Sequence, residues 1–292
     1  MFKFLIRFIF ISLAFSNNDN IYSLISSPRN ISIGGVHASS GNISSIFDSP
    51  IFLNKNNNNI FLSIDKYSHL YNVYHLSYCI YANDKSNLLL GLVRREINNN
   101  FNTNSAWEDD GYPNLEDIDY TQIYNFQDKE TGILIAYNQL IENNFIMGIN
   151  FKPIFHRIDN IFGVGFSLDV RYLIQMQRGR ISFGIDNLLA FKKWDTDLLE
   201  KYDLNGYLGS SINISDRNTV FYEYNINSGS KLGFEIELIN NLFIRTGINK
   251  YNFCFGFGIQ LENIKLDYAY MNNKSEILGS NHSVGFNINL DD

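Results

Sequence analysis

From about residue 60 the chain breaks into short segments in which bulky apolar residues alternate with small or polar ones, each segment closed by turn formers. A side-chain period of two confines such a chain to β-structure. In residues 251–261, Tyr251, Phe253, Phe255, Phe257, Ile259 and Leu261 lie on one face, and Asn252, Cys254, Gly256, Gly258 and Gln260 on the other. Phe162, Val164, Phe166, Leu168 and Val170 alternate in the same way with Gly163, Gly165, Ser167, Asp169 and Arg171. A soluble sandwich also alternates, but its polar face meets bulk water and is rich in Lys, Glu and Thr; a face of Gly and Asn suits the inside of a closed barrel. Spans of about nine to eleven residues are what a tilted strand needs to cross the hydrocarbon layer.

Segments of this kind fall at 60–67, 70–81, 87–97, 131–139, 145–156, 161–172, 180–191, 204–214, 219–226, 231–239, 242–249, 251–261, 264–272 and 282–290, which makes 14. An even number returns both ends of the chain to one side, as single-chain bacterial barrels require. A further spanning strand at 119–126 would make the number odd, so residues 98–130 are assigned to one long extracellular loop. Asn240-Asn241, Asp216-Arg217-Asn218 and Glu262-Asn263 then become tight periplasmic turns, and 192–203 and 273–281 longer outer loops. Ahead of the barrel, Lys3, Arg7, the apolar run 8–15 and Ala14-Phe15-Ser16 read as a cleaved signal peptide. The expected organisation is a signal peptide (1–16), an amino-terminal segment (17–59) and an all-β, transmembrane antiparallel barrel of about 14 strands (60–292) in the bacterial outer membrane, with lipid around it.

The net charge of −7 argues against a nucleic-acid partner. Cys79 and Cys254 read as two small residues on strands, since two distant cysteines do not establish a disulfide. Histidines 37, 69, 75, 156 and 282 show no metal-ligand spacing and no G-x-S-x-G setting accompanies them, so neither catalysis, metal nor cofactor is expected. By strand parity Lys152, Asp169, Arg171, Asp186, Glu235, Glu237, Arg245, Lys265 and Asp267 point inward. Fixed charges in a narrow lumen must be paired or hydrated, so they either line a selective path or fill the interior with ion pairs. A hairpin about Asn240-Asn241 that keeps like faces together sets Glu237 opposite Arg245. The outer loop carries Glu108, Asp109, Asp110, Glu116, Asp117 and Asp119 with Trp107 and Tyr112. That is a cation or protein contact on one reading and an ordinary solvated acidic loop on the other.

Pro28-Arg29-Asn30-Ile31-Ser32-Ile33-Gly34-Gly35-Val36-His37-Ala38, followed by Ser45-Ile46-Phe47-Asp48-Ser49-Pro50, resembles the amino-terminal segment of PorV/PorQ-type proteins, within the FadL-like group of 14-stranded outer-membrane barrels. Residues 144–152, 166–169 and 181–188 resemble that family's successive strands. Lys231-Leu232-Gly233-Phe234-Glu235, Gly256-Phe257-Gly258, Leu266-Asp267-Tyr268-Ala269-Tyr270 and Asn281-His282-Ser283 are similar to its closing series. Ser49-Pro50-Ile51 stands where the family has Asn-Pro-Ala, and Leu290-Asp291-Asp292 where a terminal aromatic is common. The resemblance implies a periplasmic hatch over 17–59, with Arg29, Gly34, Gly35, Ser49 and Pro50 as its motif. It also implies service to type IX secretion or surface attachment, with secretion components or exported proteins as partners. FadL-like relatives imply a second role, passive uptake of hydrophobic small molecules, and a filled, membrane-organising barrel is the third.

Overall fold

The computed structural model describes residues 21–23, 27–36, 39–40, 46–47, 51–52, 58–67, 70–83, 85–103, 106, 119–250, 252–272 and 279–290. Its strands are β1 (Asn59–Tyr67), β2 (Tyr71–Asn83), β3 (Ser86–Asn102), β4 (Tyr124–Glu142), β5 (Phe145–Ile158), β6 (Ile161–Met176), β7 (Gly179–Trp194), β8 (Leu199–Lys201), β9 (Asn205–Ser215), β10 (Asn218–Asn225), β11 (Gly229–Ile239), β12 (Leu242–Asn249), β13 (Phe253–Leu261), β14 (Ile264–Asn272) and β15 (Ser280–Asn289). Each pairs antiparallel with its neighbours, β1 joins β15, and β6 joins β7, so 14 strands form a closed ring. The short β8 pairs with the upper end of β7 alone and lies outside that count. Closure leaves no open sheet edge, the condition for strands to span lipid.

The alternation in the sequence becomes an inside and an outside. Phe253, Phe255 and Phe257 are exposed on the outer face while Cys254 between them is buried, and Leu90, Leu92, Ile149, Phe151, Val284 and Phe286 continue the apolar belt. Cys79 and Cys254 are separate buried thiols. Asn143-Asn144, Asp216-Arg217, Asn240-Asn241 and Glu262-Asn263 close hairpins at one end, called here the turn end. Asn241 and Glu262 take positive φ there, as the tight hairpin turns demand. Asp119 lies at the opposite, loop end.

Two boundaries differ from expectation. β3 and β4 stay paired as far as Asn102 and Tyr124, so they project past β5, which ends at Ile158 opposite Asp128. Residues 124–130 are therefore strand, not loop, and the loop shortens to 103–123. The extension adds polar residues to both faces, with Phe101 and Tyr124 exposed among them, and the period-two signal fades with it. It lengthens an existing strand, so the even number survives. Glu108, Asp109, Asp110, Glu116, Asp117, Trp107 and Tyr112 lie outside the described residues, as do the signal peptide and Ser49 and Pro50.

The interior holds the described residues of the amino-terminal segment from Ile21 to Phe52. Helix α1 (Pro28–Ser32) starts on Ser27, whose hydroxyl accepts the Asn30 N–H, and carries proline in its first turn. The Gly34 N–H donates to Ile31 O and the Gly35 N–H to Asn30 O, with φ of 81° and 77°, so the chain turns sharply off the helix. Gly34 packs backbone to backbone on the wall: a Cβ there would sit 2.8 Å from Ile248 N and Leu232 O. At Gly91, Gly233 and Gly256 the nearest atoms likewise include Phe47, Ile33 and Ser32 of this segment. The small inner face is thus the seat of the amino-terminal segment.

Candidate lumen site

Among the described residues, three networks gather many of the inward charges, and Lys231 pairs apart from them with buried Glu223 at 2.8 Å. In the first, α1 meets the wall of β11, β12 and β14. Arg29 donates from Nε and Nη2 to the Glu235 carboxylate, both at 2.9 Å. Arg245, fully buried, donates to the same carboxylate at 2.5 Å and to Asp267 at 2.7 Å. Lys265 places its ammonium over the Phe243 ring at 4.3 Å. Bidentate and shared carboxylates of this kind are the strong form of the ion pair, and burial makes loss of one member costly.

The second network lies on β5, β6 and β7. Lys152 meets Asp169 at 2.6 Å, and Arg171 meets Asp186 at 2.7 Å. β7 bulges here: Leu168 pairs with Leu189 and Val170 with Ile185, so Asp186, Asn187 and Leu188 stand against Asp169. Asn187 takes φ of 57°, and its N–H donates to the Asp169 carboxylate at 3.0 Å. Beyond the bulge the β7–β9 ladder stops at Asp186 and Asn205. An apolar groove of about 600 Å³ lies beside this point, between Phe183, Ile185, Leu188, Leu208 and Ile226.

The third network, toward the loop end, was not read from the sequence. His156 bonds Asp128 through Nε2 at 2.7 Å and meets the Lys192 ammonium through Nδ1 at 3.0 Å. Lys192 also pairs with Glu200 at 2.8 Å and sits over Trp194, 4.6 Å from the ring centre. Arg95 lies 3.3 Å from Glu130. Extending the inward parity along β3 to β5 would have found Arg95, Asp128, Glu130 and His156. β8, which brings Glu200, carries no pattern long enough to read.

The expected pairing of Glu237 with Arg245 is corrected. Glu235 faces Arg245, and Glu237 faces Phe243. A two-residue turn with Ile239 opposite Leu242 would match residues of opposite parity, which the inner face forbids. A register shift between Glu237 and Ile239 restores like against like two positions earlier. Glu237 instead accepts the Asn241 N–H at the turn.

Ser63, Asp65 and His75 come together in the wall, yet not as a catalytic triad. Ser63 Oγ and Asp65 Oδ2 both approach the same ring nitrogen, Nδ1 of His75, at 2.7 and 3.1 Å, leaving no relay through the ring. Ser283 binds the other Asp65 oxygen. Asp119, the described member of the acidic loop, accepts the Thr121 hydroxyl and N–H and the Gln122 amide. The Thr121 hydroxyl, then its N–H and the Gln122 amide hold its carboxyl below the usual range. It caps a turn, and no metal-binding group of carboxylates, histidines and cysteines occurs among the described residues.

A further contact joins segment and wall. Pro153, mid-strand in β5, has no N–H, and the β4–β5 pairing lapses at Ile133 and Leu134. The Tyr22 hydroxyl reaches this point, 2.6 Å from the Ile133 carbonyl and 2.8 Å from that of Pro153. Gly132 makes the approach feasible, since a Cβ there would lie 2.6 Å from the hydroxyl.

No family model and no curated protein matches the chain by sequence. Solved structures do resemble it in fold. The toluene transporter TbuX of Ralstonia pickettii matches with a TM-score of 0.62 at 9% identity, over 91% of this chain and 98% of that one. The Pseudomonas putida toluene transporter TodX gives 0.61 at 10% identity over 90% and 96%. A Pseudomonas aeruginosa FadL homologue gives 0.56 at 8% over 91% and 98%. At these identities the likeness shows a shared FadL-like barrel fold.

Proposed function

We propose that this chain is a bacterial outer-membrane channel that lets small hydrophobic molecules cross passively, with residues 17–59 as a hatch inside the lumen. The observation that carries the reading is an apolar cluster inside an otherwise polar lumen. Ile21, Tyr22, Ile46, Phe47 and Phe52 of the amino-terminal segment pack against Phe61, Val73, Leu89, Val93, Leu134 and Ile154 of β1 to β5. A water-filled pore has no use for such a lining, whereas an apolar solute exchanges readily with it. The fold relatives named as toluene transporters agree with this reading. The ion pairs around Arg29 act in it as fastenings of the hatch, not as a charge filter. Periplasm then lies at the turn end and the cell exterior at the loop end.

Intact cells lacking a toluene channel of their own, expressing this protein, take up toluene faster than cells with an empty vector. Equal rates with the barrel folded in the outer membrane would refute the proposal. The secretion role implied by the PorV/PorQ resemblance draws no support from the structural neighbours. Co-purification of secretion components with the barrel would revive it.

A further inference from the structure

The apolar belt of the outer face ends in a charged patch at the loop end of β3, β4 and β5. Glu130 and His156 are buried on the inner face, so Lys129 and Arg157, one residue away on β4 and β5, point outward. Register sets Lys129 directly between Glu96 of β3 and Arg157 of β5. Glu96 is already held by Arg94, whose Nε donates to it at 2.6 Å. Arg157 donates Nε to the Asp159 carbonyl at 3.0 Å, while the Asp159 carboxylate accepts the Tyr124 hydroxyl at 2.7 Å. Beyond Arg157, Phe162 of β6 is exposed, and Asp195 accepts its N–H. Among the described residues neither Lys129 nor Arg157 forms an ion pair. Two cations are thus direct cross-strand neighbours on one face, and like charges so placed repel.

We infer that this patch is a binding site for the phosphate monoester headgroup of a membrane lipid, with Lys129 and Arg157 gripping one phosphate between them. An anion between two like charges converts their repulsion into attraction, and a phosphate monoester carries enough charge to neutralise both. The guanidinium fork and the ammonium both match phosphate oxygens. Position selects a lipid over a soluble anion. Phe155 is exposed on the same face two residues from Arg157, and Ile135, Tyr137, Ile149 and Phe151 continue the apolar belt toward the turn end. A lipid sets its chains on that belt and its charge about 7 Å further on, the length of two strand residues. Lys and Arg suit such a margin, since their stems lie along apolar surface while their heads reach the headgroup layer. The inference goes beyond the transport reading and holds whichever solute passes through the barrel.

The test uses the full-length protein in a neutral detergent, its folding checked by heat-modifiability on a gel, with lipid binding read by native mass spectrometry. Wild type binds dioctanoyl phosphatidic acid about tenfold or more tighter than dioctanoyl phosphatidylcholine, and Lys129→Gln combined with Arg157→Gln removes that preference. Lys85→Gln, between β2 and β3 at the turn end, leaves it unchanged. Equal preference in wild type and the folded double variant overturns the inference. Absence of any preference in folded wild type overturns it too, even if the double variant fails to fold. Displacement of phosphatidic acid by an equal or lower concentration of inorganic phosphate or polyglutamate assigns the patch to a soluble anion or an acidic protein, and overturns the lipid assignment.

Discussion

Arg245 shows how much a single buried cation decides in this lumen. It is fully buried and joins Glu235 to Asp267, so truncation leaves two carboxylates facing each other without their shared partner. Arg245→Ala is expected to destabilise the barrel by about 3–5 kcal/mol, read from urea unfolding in detergent. Tyr22→Phe removes a donor from the point where Pro153 interrupts the ladder. It is expected to cost about 1–3 kcal/mol and to speed proteolysis of the amino-terminal segment. Gly34→Ala meets both an unfavourable φ of 81° and the Ile248 backbone. Its expected effect is a loss of about 2 kcal/mol, measured in the same unfolding assay. Glycine and tyrosine at these positions were visible as letters in the sequence. Their duties were not, because each depends on an atom more than a hundred residues away.

At the level of the strand, the two faces answer to different partners. Phe255 is 42% exposed on the outer face of β13, and Phe255→Lys sets a charge against lipid at a cost of about 2–4 kcal/mol near the midplane. Reduced membrane assembly in a heat-modifiability gel is the expected readout. Its neighbour Gly256 is inward, and a Cβ there would meet the Tyr268 carbonyl of β14 at 2.4 Å and Ser32 at 2.5 Å. Gly256→Ser is therefore expected to assemble with a milder defect than Phe255→Lys and to loosen the amino-terminal segment, seen as faster proteolysis. Equal assembly defects in the two variants would contradict the face assignment. The face of every residue on β13 could be read from alternation alone. The bulge at Asp186-Asn187-Leu188 and the register shift before Asn240 could not, since a bulge alters which residues meet without altering their local pattern.

For the whole molecule, the proposed hatch makes the amino-terminal segment the part on which filling of the closed ring depends. Removing residues 21–52, whose described members pack inside the wall, is expected to leave a folded ring and to raise single-channel conductance in planar bilayers. Unchanged conductance in a folded deletion variant would deny the segment its role as a hatch. The barrel, its even number of strands and the identity of its lipid face were all determined by the chain's own alternation, because a bilayer imposes the same local demand on every crossing strand. Only the tertiary structure decided that Arg29 joins Glu235, that Tyr22 meets the β4–β5 interruption, and that His156, Lys192 and Glu200 gather near the loop end. Those meetings follow from the register between strands and the path of a chain folded back into its own lumen, and no local periodicity encodes either.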